Sequence, residues 1–202
     1  MGAVAATKIT KGNLKYIVNA DGKSVTVSGT SGKPTQLTIE SSISDNGTNY
    51  TVTKIAMWAF NACNTLTEVT LPNTVDEIGY QAFFKCSNLT KVIIPEGVTK
   101  IGQAAFYGCS QLTSITIPST ITNMDTAFSG NTALSHVTLT NGISEISYSA
   151  FEGCTGLTEV EIPASVDQIC PFAFNGCTNL KRVLLEKNIK TINVNAFKDC
   201  TN

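Results

Sequence analysis

Phenylalanine recurs at Phe60, Phe83, Phe106, Phe128, Phe151, Phe174 and Phe197, in steps of 23 residues interrupted by a single step of 22. Self-similarity at such a period marks a linear array. Each repeat is a unit too small to bury its own apolar face and must stack on copies of itself. The interval carries one pattern, Leu-Thr-x-Val-x-Ile-Pro, then Val-x-x-Ile-Gly, then Ala-Phe-x-Gly-Cys. Residues 66–88 show how it reads. Val69 and Leu71 alternate with Glu68 and Thr70, as a half-buried strand requires. Pro72 ends that strand because it has no amide hydrogen, and Val75 and Ile78 mark a second short extended segment. Gly79 is read as a corner. Ala82, Phe83 and Cys86 follow at spacings that suit a single helical or 3₁₀ turn. The expected fold is a repeat solenoid, a right-handed α/β-type superhelix with a parallel sheet. About seven coils at ~4.8 Å give a rod about 35 Å long.

Residues 8–54 fall outside the period and alternate as strands. Leu14–Val18 and Ser24–Ser28 flank Asp21-Gly22, and Leu37–Ile43 and Tyr50–Ile55 flank Asn46-Gly47. Asp-Gly and Asn-Gly are strong hairpin signals. The organisation read from this is a tail or cloning scar over 1–12, an amino-terminal β-hairpin cap over 13–54, and the solenoid over 55–202. Solenoids need such caps for solubility. No cap pattern follows Cys200-Thr201-Asn202, which suggests a fragment of a longer protein or self-association through that end.

The residues of the repeat resemble the BspA-type leucine-rich repeats of bacterial surface and secreted proteins. The resemblance rests on Ile-Gly-x-x-Ala-Phe-x-x-Cys at 78–86, Ile-Gly-Gln-Ala-Ala-Phe-Tyr-Gly-Cys at 101–109, and Ala-Phe-Glu-Gly-Cys at 150–154. Leu-Thr-x-Val-x-Ile-Pro-type strands at 89–95, 112–118 and 157–163 complete it. It implies a non-catalytic, exported or cell-surface module that takes part in adhesion or protein binding, with a protein or glycan ligand on host or neighbouring cells. Two departures stand out. Asn131 takes the cysteine position in the 22-residue repeat, where a local kink is expected. The last repeat has Glu186 in place of Pro and Ile192-Asn193 in place of Ile-Gly.

Six of the seven cysteines sit on the repeat, at Cys63, Cys86, Cys109, Cys154, Cys177 and Cys200. Residues in register on successive coils point in parallel rather than toward each other, which disfavours bridges. A column of buried thiols acting as small apolar fillers accounts for the spacing and for the exchange with Asn131. Zinc needs four converging ligands, whereas a ladder spreads its sulfurs along a line and the chain has one histidine. No metal or cofactor is expected. Cys170 occupies the corner position held by Gly79 and Gly102 and reads as a spare, partly buried thiol.

The 14 Lys and Arg are matched by 15 Asp and Glu scattered along the array. That balance excludes the basic stripe a nucleic acid would need. The apolar runs are too short to insert in a membrane. Stacking places Glu68, Lys91, Ser114, His136, Glu159 and Arg182 in one outward column of the sheet, with Glu161 beside it. This is the candidate partner-binding face. His136 near Glu159 and Glu161 is the closest approach to an acid–base pair, but no nucleophile or oxyanion hole accompanies it, and the expectation is a chain that is not an enzyme. A second candidate surface is aromatic: Trp58, Tyr80, Phe84, Tyr107, Tyr148 and Phe172, residues of the type that anchor interfaces or wrap their own corners. The alternatives to recognition are a structural stalk and an accessory module of a larger cell-wall or glycan-active protein.

Overall fold

A computed structural model describes residues 7–187 and 189–202. The chain winds as a three-sided β-solenoid of about seven turns, with one set of apolar side chains filling the space between the sides. Leu66, Val69, Val75, Ile78, Phe83 and Cys86, one from each key position of a single coil, are fully buried.

The first side is a row of parallel strands, Gln36–Thr38, Glu68–Thr70, Lys91–Ile93, Ser114–Ile117, His136–Leu139, Glu159–Ile162 and Arg182–Leu185. Their register advances by one repeat, with Glu68 opposite Lys91, Ser114 opposite His136, and Glu159 opposite Arg182. The second side is made of two-residue strands such as Glu77–Ile78, Lys100–Ile101, Glu145–Ile146, Gln168–Ile169 and Thr191–Ile192. The 22-residue coil contributes no strand to this side. Its missing residue is absorbed by Met124, which is buried where other coils have the isoleucine of their Ile-Gly pair.

The third side was expected to hold single helical turns, but no described residue is helical. Amide hydrogens there alternate between two acceptors. Those of Ala82, Phe84 and Cys86 bond back to Gly79, Gln81 and Phe83, each at 3.2 Å, whereas those of Gln81, Phe83 and Lys85 bond to Gln103, Ala105 and Tyr107 on the next coil, at 3.1, 2.7 and 2.7 Å. A helix would keep all of them within its own turn. The alternation needs left-handed backbone twice per coil. Residues two before the phenylalanine have φ of 50–60°, and residues two after it have φ of 53–73°. Gly108, Gly130, Gly153 and Gly176 fill the second set, where the lack of a Cβ removes the steric cost. Gly79 and Gly102 have a different role from the corner expected of them. Neither is left-handed, and a Cβ on either would meet backbone of the preceding coil at 2.5 or 2.4 Å. Close approach of coils is what requires glycine there. In two other coils the side chain at this position is hydrogen-bonded in place: Ser147 Oγ accepts from the Met124 amide, and Asn193 Nδ2 donates to the Ile169 carbonyl.

Inside this wall the seven phenylalanines form a continuous stack, with ring centroids 5.1–5.7 Å apart and planes within 16° of parallel. Six of the cysteines run beside it, and all seven, Cys170 included, are free. Five donate a thiol hydrogen bond to the phenylalanine carbonyl of the preceding coil. Cys86 reaches Phe60 at 3.1 Å, and Cys109, Cys154, Cys177 and Cys200 reach Phe83, Phe128, Phe151 and Phe174 at 3.2 Å. Each thiol thus fills volume and satisfies a buried carbonyl. Burial pushes the thiols of Cys86 and Cys177 up to about 12, and those of Cys109 and Cys154 well above the usual thiol range. Asn131 is completely buried in the same column, yet among the described residues neither atom of its amide has a partner.

The amino-terminal segment departs from expectation in two places. Residues 1–6 of the expected tail lie outside the described residues, but Lys8–Lys11 is a strand, antiparallel to Leu14–Val18. It is held because Ile9 turns into the core. The expected strand Leu37–Ile43 is divided. Gln36–Thr38 joins the first side beside Glu68–Thr70, while Ser42–Asp45 forms a hairpin with Thr48–Ile55 through Asn46 and Gly47, both left-handed. Burial of Leu37, Ile39 and Ile43 on two walls forces the corner between them. The other hairpin, Leu14–Val18 with Ser24–Thr30, is continuous with the solenoid, because Ser24–Thr30 pairs in parallel with Thr48–Ile55, and that strand pairs with Glu77–Ile78. Its turn is fastened by Asp21, which accepts from the amides of Lys23 and Ser24 and the Ser24 hydroxyl; these bonds hold its carboxyl below the usual range.

Three measurements check this account. Phe106→Ala deletes a ring from the middle of the stack and is expected to cost about 3–5 kcal/mol in urea denaturation, whereas exposed Ser114→Ala should be nearly neutral. Asn131→Cys replaces an unpartnered buried amide with the thiol the ladder uses elsewhere, and should stabilise by about 1–3 kcal/mol under reducing conditions; a lower denaturation midpoint would contradict the ladder. Because the thiolate is the reactive form, iodoacetamide at pH 8 should spare Cys86, Cys109, Cys154 and Cys177 in the folded chain and modify all four after unfolding in guanidinium, as read by peptide mass mapping.

Candidate functional site

The parallel strands of the first side turn every second residue outward. This brings the charged and polar residues singled out from the sequence into a row one side chain wide. Glu68 is half-buried, and Lys91, Ser114, His136, Glu159, Glu161 and Arg182 are exposed. The row is organised by pairing across coils. Lys91 Nζ lies 2.6 Å from Glu68 Oε1. Arg182 donates to Glu159 Oε2 through Nε at 3.1 Å and also through Nη2. Exposed pairs of this kind contribute only about 0–1 kcal/mol to stability. Their main effect is to hold long side chains in a defined pattern.

The acid–base grouping considered for His136 is not assembled. His136 Nδ1 lies 2.8 Å from Ser135 Oγ, and Glu159 is turned toward Arg182. The described residues contain no cluster of three or more His, Cys, Asp or Glu side chains able to hold a metal ion.

Sequence reasoning did not anticipate that the first side is interrupted. Its strands hydrogen-bond in three groups, with breaks after Lys91–Ile93 and after His136–Leu139. Each break opens a shallow recess. One of ≈ 450 Å³ is lined by residues including Lys91, Ile93, Ser114, Thr116, His136 and Thr138. The other, ≈ 220 Å³, is lined by residues including His136, Thr138, Glu159, Glu161 and Leu184. His136 borders both. Ile93 and Leu184, at the outer margins of the two recesses, are 52% and 41% exposed on an otherwise polar face. The short side chains Ser114, Thr116 and Thr138, which leave room for these recesses, were the available sequence signal.

The aromatic candidates divide into two sets. Phe84 and Tyr107 immediately follow the buried phenylalanine of their coils, stack at 5.1 Å, and are half-buried, with Lys85 Nζ 5.3 Å from the Phe84 ring centre. They cover their own wall. Trp58, Tyr80, Tyr148 and Phe172 precede the phenylalanine and are held differently. Trp58 meets Tyr80 edge-to-face at 6.0 Å, and Tyr148 meets Phe172 in the same way at 5.9 Å. Cys170, next to this row, is buried, and burial raises its pKa, which leaves it a poor nucleophile.

The sequence matches the family model of the BspA type leucine rich repeat region over residues 39–127 and 124–202, in six copies, and the chain belongs to that family. Among solved structures it is similar to a leucine rich cell surface protein from Faecalibacterium prausnitzii, with 31% identity and a TM-score of 0.68 over 92% of this chain and 56% of that one. It is also similar to a leucine-rich repeat protein from Bacteroides ovatus, with 26% identity and a TM-score of 0.66 over 87% and 52%. The fold is shared with the pneumococcal vaccine antigen PcpA at 18% identity and a TM-score of 0.61, over 96% and 68%. The chain spans about half the length of the first two. No curated protein matches the sequence.

Proposed function

We propose that this member of the BspA-type leucine-rich repeat family is a recognition module of a bacterial cell-surface or secreted protein, and that it mediates adhesion by binding a protein partner through the outward row of its first side. The observation that carries this reading is the placement of Ile93 and Leu184. Each is an exposed apolar side chain at the edge of a recess, framed by Lys91, His136, Glu159, Glu161 and Arg182. Apolar anchors with a polar rim are the usual anatomy of a protein interface. A rigid row of modest contacts suits partners bound over an extended surface. The family is generally non-catalytic, and the His136 and Glu159 geometry offers no reaction to set against that.

The competing reading is a spacer that projects another part of a longer surface protein. It draws on the same rigidity, and it makes the identity of the outward side chains immaterial. The two are separated by measuring binding of the purified chain to an array of extracellular matrix proteins, beside a variant with Lys91, Glu159 and Arg182 changed to alanine. Saturable binding is expected, weakened at least tenfold in the variant, with an unchanged circular dichroism spectrum and melting temperature. Equal binding by both proteins would place the contact elsewhere. No binding by either would favour the spacer.

A further inference from the structure

The row that precedes the buried phenylalanines carries a feature that the packing of the solenoid does not require. In all seven coils the residue two before the phenylalanine is left-handed, and the occupants are Trp58, Gln81, Ala104, Thr126, Ser149, Phe172 and Asn195. A bulky aromatic side chain, like the β-branched Thr126, is poorly suited to this backbone. Ala104 shows that the fold accepts a minimal side chain there. Trp58 nevertheless occupies the slot at φ 57° while 54% exposed, so burial does not offset the conformational cost. Phe172 occupies it at φ 60°.

Each of the two strained aromatics is paired with a tyrosine from the neighbouring residue position. Tyr80 lies one coil after Trp58, and Tyr148 one coil before Phe172. The interplanar angles of the two pairs are 75° and 73°. The tyrosines therefore face inward on the row, three coil steps apart, at roughly 14 Å for strands spaced ~4.8 Å. They are 39% and 46% exposed. Between them lie Gln103 and Asp125, the first exposed and the second half-buried. The Trp58 indole is fixed by its bond from Nε1 to Gln81 Oε1 at 3.0 Å. The Tyr148 amide bonds to Asp125 Oδ1 at 3.1 Å.

We infer that Trp58 with Tyr80, and Tyr148 with Phe172, are the two ends of a binding site for a neutral, extended oligosaccharide whose hydroxyl groups are equatorial. Such a sugar presents a C–H face that stacks on an aromatic ring, and its hydroxyls bond to amides and carboxylates such as those of Gln103 and Asp125. The two residue positions that form the row carry no lysine or arginine in any coil, which argues against an anionic polymer and against a membrane surface. The anchors are split to the two ends of a polar floor, whereas the hot spots of a protein interface cluster at its centre. An extended chain satisfies both ends at once.

Trp58 is the only tryptophan in the chain, so intrinsic fluorescence reports on this site alone. Titration with cellohexaose or chitohexaose should produce a saturable change in its emission. Cellobiose and chitobiose, too short to span both pairs, should bind at least about tenfold more weakly, a difference of one decade in Kd. Tyr148→Ala, which leaves the reporter in place, should weaken hexasaccharide binding about tenfold, and Phe172→Ala should do the same with the melting temperature unchanged. Calorimetry on Trp58→Ala provides a readout that does not use the fluorophore and should show the same loss. The Lys91, Glu159 and Arg182 alanine variant should titrate like the parent, which separates this site from the protein-binding face. The proposal is overturned by no response to either hexasaccharide at millimolar concentration, by equal binding of disaccharide and hexasaccharide, or by hexasaccharide binding that Tyr148→Ala leaves intact.

Discussion

Backbone hydrogen bonding between coils is the constraint on which the rest of the molecule depends. A 23-residue loop has no helix in which to satisfy its amides and no second strand of its own to pair with. On the third side every other N–H is directed to a carbonyl of the next coil, as Gln81, Phe83 and Lys85 are to Gln103, Ala105 and Tyr107. The parallel strands of the other two sides do the same, except at the two breaks in the first side and at the 22-residue coil on the second. Buried backbone groups left without partners are costly, so no coil is stable apart from its neighbours. The stacked phenylalanines, the left-handed residues on either side of them and the glycines where coils approach most closely all follow from holding that ladder in register.

The cysteine column is part of the same solution. A phenylalanine carbonyl in the third side accepts one backbone bond from its own coil, and the thiol of the next coil supplies a second donor without adding a charge or a large side chain. Asn131 interrupts this where the repeat is one residue short. The 22-residue coil also lacks a strand on the second side and gives up its isoleucine to Met124. The missing residue falls before Phe128, so the second side is altered while Phe128 keeps its place in the stack and Asn131 its place in the cysteine column.

Two surfaces with different chemistry result from one repeat. The first side presents charged side chains paired across coils, and its interruptions create recesses next to exposed Ile93 and Leu184. The row before the buried phenylalanines presents aromatic rings on strained backbone, separated by amide and carboxylate groups. Neither surface is needed for stacking. This is why both can vary in residue type from coil to coil while the buried positions repeat.

The repeat period, the buried positions, the outward column of the first side and the two amino-terminal turns were all determined by the sequence, because burial and turn geometry impose residue types that can be read at fixed spacing. Only the tertiary structure decided how the short segment around each phenylalanine is bonded. Left-handed residues are not confined to glycine there: Trp58, Gln81, Lys85 and Phe172 adopt them as well, so composition gave no sign that the segment was a ladder of turns rather than a helix. It also decided that Lys8–Lys11 is a strand, since a partner distant from the repeat pattern determines whether Ile9 is buried. The breaks in the first side, and the separation of the aromatic residues into a covering pair and two edge-to-face pairs, depend on spacings between coils that no single repeat encodes.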